Sequence, residues 1–204
     1  MSKASVIRTN QDRYADLFMG FVLLFSLVAV TGWLVNQPIL ASLGNAFIPM
    51  APGTALIFLG LWCTWFIRRI FAAKRGMRIV IPTIQLGLMV VVVLLAVRAL
   101  TGLGPDLEKL ITPNPPLLGQ IVTGRMSPLS ALGFLLAIPA LLLMSTDEPG
   151  PCTKSATAGL ALLLFSLSGL ITLGYLYGAP LFYGGTTIPV ALTSALTFLF
   201  LSLG

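Results

Sequence analysis

Few residues in this sequence could do chemistry, and their types narrow what that chemistry could be. There is no histidine, there are two cysteines, Cys63 and Cys152, and there are six acidic residues. Without imidazole there is no histidine metal ligand, no histidine-ligated haem and no histidine general base. Asp106 and Glu108 stand two apart, but Lys109 follows them and Pro113, Pro115 and Pro116 lie close by, a pattern that reads as a solvated loop. No Asp or Glu falls inside a long apolar run, where a proton- or sodium-coupled pump would place one. No Lys falls there either, so retinal would find no Schiff-base partner. Cys63 reads as mid-helix and Cys152 as part of a loop facing a reducing cytosol, so no disulfide is expected. The expectation is a non-enzymatic chain without metal or cofactor.

What remains is a small set of polar groups suited to recognition: Arg98, Arg125, Asn36, Gln37, Gln85, Tyr175, Tyr177 and Tyr183. A guanidinium can bind a carboxylate or phosphate through two parallel N–H donors. Tyrosines offer an apolar ring with a polar tip, and they also populate membrane interfaces regardless of function. Trp33 belongs to the same aromatic belt. Gln85 suits an interhelical hydrogen bond as well as a ligand contact, and Arg98 suits snorkelling.

The elements that position these groups follow from composition. Of the 204 residues 57% are hydrophobic and 9% charged, against about 25% charged in soluble domains. With a mean hydropathy of +0.99, the reading is an all-α, polytopic membrane protein. Only helices or closed barrels satisfy the backbone in lipid, and these runs lack the period-two alternation of a barrel. Between Asp16 and Arg68 lie 51 uncharged residues, enough for two helices of about 20 residues and a turn. Uncharged runs also cover 79–97 and 126–146, and no charge follows Lys154. The boundaries predict six helices near 17–36, 50–67, 79–100, 127–146, 155–177 and 188–204. Nine basic residues (Lys3, Arg8, Arg13, Arg68, Arg69, Lys74, Arg75, Arg78, Lys154) fall on one side and three (Arg98, Lys109, Arg125) on the other. The positive-inside rule then puts both termini in the cytoplasm of a bacterial inner membrane. The Arg68–Arg78 loop is expected to meet anionic headgroups, and no aromatic-interleaved basic surface suggests nucleic acid. The first run is long for a signal peptide and lacks a clear cleavage site. The end, Phe198 to Gly204, has no polar flank and reads as a helix still in progress, with a cytoplasmic continuation expected.

Self-comparison reveals a repeat. Met50-Ala-Pro-Gly-Thr-Ala-Leu-Ile-Phe-Leu59 aligns with Met126-Ser-Pro-Leu-Ser-Ala-Leu-Gly-Phe-Leu135 and with Val190-Ala-Leu-Thr-Ser-Ala-Leu-Thr-Phe-Leu199. Each copy opens an even-numbered helix, so the unit is one helical hairpin (17–67, 79–146, 155–204) in a single membrane domain. Two spans per unit give parallel repeats about the membrane normal. Pro52 and Pro128 suit a first helical turn, Ser127 an N-cap, and Thr54, Ser130 and Ser194 a small face for close helix packing. Arg125 occupies the slot held by Pro49 and Pro189 in the other copies, a charge that breaks the repeat.

The pattern Ile48-Pro-Met-Ala-Pro-Gly-Thr-Ala-Leu-Ile-Phe-Leu-Gly60 resembles N-terminal membrane regions of bacterial sensors, as do Leu173 to Tyr183 and Thr187 to Leu196. The resemblance implies a multi-span input module ahead of PAS, histidine kinase or diguanylate cyclase domains, fused or associated. No output domain is present, and with no histidine this chain cannot itself be a histidine kinase. The competing class is an accessory subunit of a larger membrane complex, or a small transporter or channel; in either class the chain is expected to be a homo-oligomer or a complex subunit. Three parallel hairpins are similar to mitochondrial carriers, but the charged Pro-x-Asp/Glu-x-x-Lys/Arg signature of those carriers is missing. Any ligand site is expected on the outer side, between the even-helix starts, with Arg125 its charged contributor and the tyrosines its wall.

Overall fold

A computed structural model describes residues 10–44, 47–71, 76–113, 117–118, 121–145, 150–178 and 188–204. The expectations placed on Tyr183, Lys3, Arg8, Lys74 and Arg75 lie outside these residues. Six helices of twelve residues or more dominate: α1 (Asn10–Leu34), α2 (Pro52–Phe71), α3 (Met77–Thr101), α5 (Pro128–Met144), α6 (Pro151–Leu176) and α7 (Leu192–Leu203). A five-residue α4 (Leu107–Ile111) and a two-residue antiparallel ladder, Leu117–Leu118 with Ile121–Val122, sit between α3 and α5.

Four helices, α1, α2, α3 and α6, are long and apolar enough to cross a membrane. Their outward faces are rich in aliphatic residues, such as Ile79, Leu86, Val90 and Leu100 on α3 and Leu162, Leu163 and Leu170 on α6. Such apolar surface is unusual against water and suits lipid. With 17 and 12 residues, α5 and α7 rise about 26 and about 18 Å, short of the ~30 Å of a hydrocarbon core.

Four boundaries depart from the sequence expectation by four residues or more: α2 runs on past 67 to Phe71, α6 begins at Pro151 instead of near 155 and so carries Cys152, and the starts of α1 and α7 also move. α1 begins at Asn10 instead of near 17, because Asp12 and Asp16 on its first turns pair with Arg69 at the end of α2 (2.9 and 3.3 Å). Arg69, expected to meet headgroups, thus ties the first hairpin together. α7 begins at Leu192 instead of near 188, because Val190 and Ala191 run extended and buried before it.

The packing is cyclic. α1 contacts α2 and α7, α3 contacts α5 and α2, and α6 contacts α7 and α5. Each long helix therefore rests on the partner within its own hairpin and on the corresponding helix of the neighbouring one. The rings of Phe58, Phe134 and Phe198, the phenylalanines of the three motif copies, meet pairwise at 4.6–4.8 Å and are buried. The helix ladder starts at the same motif position in each copy: Ala55 N–H to Ala51 O, Ala131 N–H to Ser127 O and Ala195 N–H to Ala191 O, each 3.0 Å. Gly133, on α5, makes room for one ring; a Cβ there would lie 2.6 Å from Phe198. Phe200 on α7 stacks between Phe18, Phe21 and Phe25 of α1 and closes the circle.

Candidate functional site

α2, α5 and α7 each follow a largely buried lead-in, residues 48–51, 123–127 and 188–191, in which Arg125 alone is exposed, at what we term the motif end. Buried backbone polar groups need partners, and the sequence supplies them nearby. In the first hairpin Trp33 Nε1 donates to Met50 O at 2.7 Å, and Met50 N–H donates to Ala41 O at 2.9 Å. Thr193 Oγ1 donates to the same Ala41 carbonyl at 2.9 Å, joining α7 to the first hairpin. In the third hairpin Tyr175 Oη donates to Val190 O at 2.6 Å, its ring edge-on to Phe47 at 5.5 Å. Ser127 caps α5 as expected, accepting from Ser130 N–H at 3.0 Å.

The second hairpin differs. There Glu108, on α4, folds its carboxylate inward and accepts Met126 N–H at 2.6 Å. It is 7% exposed and lies against Gly53, where a Cβ would come within 3.3 Å of Oε1. Burial pushes its acid group up from 4.5 to about 7, opposed by the Met126 N–H and by Arg125 and assisted by Asp106. The reading of Asp106 and Glu108 as a solvated pair is therefore corrected: α4 turns the carboxylate into the bundle. Asp106 caps α4, its Oδ1 accepting Lys109 N–H at 3.2 Å. Its Oδ2 bridges two guanidinium groups, Arg98 Nη2 at 3.1 Å and Arg125 Nη2 at 3.3 Å. Arg98 Nη1 also donates to Gly104 O at 2.8 Å, so this arginine closes its own helix end instead of snorkelling.

These groups line a pocket of about 270 Å³ formed by Arg98, Asp106, Glu108, Lys109, Thr112, Pro113 and Arg125. Two arginines singled out from sequence, 27 residues apart, thus meet through one carboxylate. The other candidates do not join them. Asn36 is exposed in a left-handed turn (φ 55°), and Gln37 is exposed, its N–H bonded to Gly32 O at 2.7 Å. Tyr175 is committed to Val190, and Tyr177 is 84% exposed. Neither Tyr175 nor Tyr177 lines the pocket, and Tyr183 lies outside the described residues. Gln85 lies at the opposite end, with Nε2 donating to Thr64 Oγ1 at 3.4 Å and Oε1 accepting from Ser145 Oγ at 3.5 Å. It ties α3 to α2 and α5, the interhelical role weighed for it from sequence.

A larger crevice of about 400 Å³ opens at that far end, among Ala137, Ala140, Ala158 and Ala161. Lys154 is the one charged residue lining it, so it lacks the convergent polar groups of a specific site. Cys63 and Cys152 are exposed free thiols. Glu108 is the pocket residue that sequence reasoning missed; the short Asp106-Leu-Glu-Lys-Leu run, an Asn/Asp-type cap before an apolar pair, was the available signal for α4. No protein-family model, curated protein or solved structure matches the chain.

Proposed function

We propose that this chain is a non-enzymatic membrane-integrated sensory input module, with six spans arranged as three parallel hairpins about a quasi-threefold axis. The observation that carries the reading is the break in that arrangement. Two hairpins close their motif end with an aromatic donor, whereas the second builds a charged, open pocket there from Arg98, Asp106, Glu108 and Arg125. The cyclic packing and the converging Phe58, Phe134 and Phe198 support the repeat. The short helices are consistent with six crossings: the four-residue lead-in to α7 adds about 13 Å at ~3.3 Å per residue. Extended backbone at such depth is tolerated when buried in protein, as these lead-ins are.

The nine-to-three basic bias supports an inner-membrane orientation with the motif end outside and both termini in the cytoplasm. A reporter fused after Gly204 and active only in the periplasm would contradict it. The pocket contacts the starts of α2 and α5 through Gly53 and Met126, so a change there acts on helices that run to the cytoplasmic face. A cytoplasmic signalling domain, fused or associated, would read the change, and basic residues at that face would meet anionic headgroups. The alternative, an accessory subunit of a larger complex, draws on the wide apolar faces of α3 and α6.

The two readings separate in one experiment. Cys63 on α2 and Cys152 on α6 are native exposed thiols in the far half of their hairpins. With spin labels on both, in lipid nanodiscs, the D106N variant should shift their distance distribution relative to wild type. An unchanged distribution would mean that the pocket is not coupled to the far end, and the rigid-subunit reading would then stand.

A further inference from the structure

We propose that the pocket at the motif end binds a small oxyanion, carboxylate or phosphate, on the open guanidinium of Arg125, with Arg98 and Lys109 supplying the surrounding positive charge. The inference deepens the sensory reading and rests on it for the meaning of the bound state, though not for binding itself. Some of the pocket's donors are already used. Arg98 is spent, with Nη1 on Gly104 O and Nη2 on Asp106. Arg125 gives only Nη2 to Asp106, at 3.3 Å, and its side chain is 44% exposed. Its Nε and Nη1 have no partner among the described residues, and neither does the Lys109 ammonium. Nη2 carries a second N–H besides the one on Asp106, and with Nε or Nη1 beside it this forms a planar pair of donors, the arrangement that takes a carboxylate or phosphate in two parallel bonds.

The surroundings fix that donor pair and give it a positive field. Asp106 is held on one side by the Lys109 N–H and on the other by Arg98, so it anchors Arg125 without neutralising the group of cations. Glu108, the other carboxyl at the pocket, faces inward to the Met126 N–H. Its neighbours are the uncharged Gly53 on α2, Leu95 and Arg98 on α3, Asp106 and Lys109 around α4, and Arg125 before α5. While Glu108 is protonated, three cations face a single carboxylate. Once it ionises, above about pH 7, the surplus falls by one charge and an anion is held less strongly. The volume, about 270 Å³, lies just under the range typical of drug-sized ligands, so the occupant is small or is one headgroup of a larger lipid.

The test uses the full chain in phosphatidylcholine nanodiscs, with binding measured by calorimetry for succinate and for inorganic phosphate. A third arm repeats the succinate titration in discs containing phosphatidylglycerol. Binding of either anion is expected, with a loss greater than about tenfold in R125A and about tenfold in R125K, because lysine keeps the charge without the fork. Succinate affinity should fall several-fold from pH 6 to pH 8 in wild type and stay level in E108Q. Competition by phosphatidylglycerol would assign the site to a lipid phosphate; undiminished succinate binding would assign it to a free anion. Absence of binding by both anions together with no preference for phosphatidylglycerol overturns the proposal, as does binding that R125A leaves intact. A melting transition matching wild type certifies that each variant is folded. Succinate binding with an unchanged Cys63–Cys152 separation would sink the sensory reading and leave the oxyanion site standing.

Discussion

In the first and third hairpins, the lead-in to the motif helix is held by an aromatic side chain one residue from the end of the preceding long helix. Trp33 in α1 reaches Met50 O and Tyr175 in α6 reaches Val190 O. The corresponding place in α3 is Leu100, which offers no donor and is 72% exposed. The second hairpin instead anchors the backbone N–H of its lead-in, at Met126, with a carboxylate brought in by an extra helix, α4, and a cluster of two arginines and Asp106 accompanies it. The difference points to the second hairpin of the proposed repeat. Two units show what packing alone requires, and the third shows what was added. What was added is charged, half-open and linked to two motif helices.

The comparison can be broken at its common part first. Truncating a large buried aromatic costs about 3–5 kcal/mol, so F58A, F134A and F198A should each destabilise the protein by that order in unfolding titrations. Similar losses at all three positions are expected from equivalent places on one axis. A variant costing less than about 1 kcal/mol would show that its ring is peripheral and that the units are not equivalent. Next in size is the departure itself. E108A leaves the buried Met126 N–H without its partner, a loss of about 1–3 kcal/mol. The counterpart Y175F leaves the buried Val190 carbonyl without its donor and should cost about 1 kcal/mol, the low end of that range, because the lost bond joins neutral groups. A larger loss in Y175F than in E108A would reverse the contrast drawn between the hairpins.

Glu108 also gives the second hairpin a pH dependence. Its acid group is higher in the folded chain, about 7, than its ordinary value of 4.5. Between those values the folded chain holds a proton that the unfolded chain has released, so stability should decline as pH rises from about 4.5 to about 7 and level off above. E108Q should remove that component of the slope. If the wild-type and E108Q profiles coincide over that range, the carboxyl is not desolvated as described. A further contrast concerns two glycines. G133A drives a Cβ into the Phe198 ring and should cost about 1–3 kcal/mol at most, whereas G159A meets open space and should be neutral or stabilising by up to ~1 kcal/mol. Equal effects would mean that the ring shifts freely and that the axis is loosely packed.

Much of this was legible in the residues. Apolar runs bounded by charge placed the helices, because lipid excludes charge and demands a satisfied backbone. The repeated Ala-Leu-x-Phe-Leu pointed to three equivalent helix starts, and Ser127 before Pro128 to a cap. The exact ends were less legible, since Asp12 and Asp16 read as a boundary until paired with Arg69, a contact across more than 50 residues. The pocket was half legible. Arg125 stood out by breaking the repeat, but its meeting with Arg98 depends on Asp106, and the burial of Glu108 depends on α4 packing against Gly53 and Met126. Neither is a local property of a loop rich in proline and charge. Tyr175 was misread for the related reason that a hydroxyl near a helix end can face a headgroup or a backbone carbonyl, and only the fold decides.

The account's central claim is that the second hairpin alone receives the signal. Amide hydrogen exchange of the full chain in phosphatidylcholine nanodiscs, with and without succinate, tests it across all three lead-ins at once. Added succinate should slow exchange over residues 104–127 and leave 47–51 and 188–191 unchanged. Equal protection of the three lead-ins, or protection confined to the first or third, would contradict it.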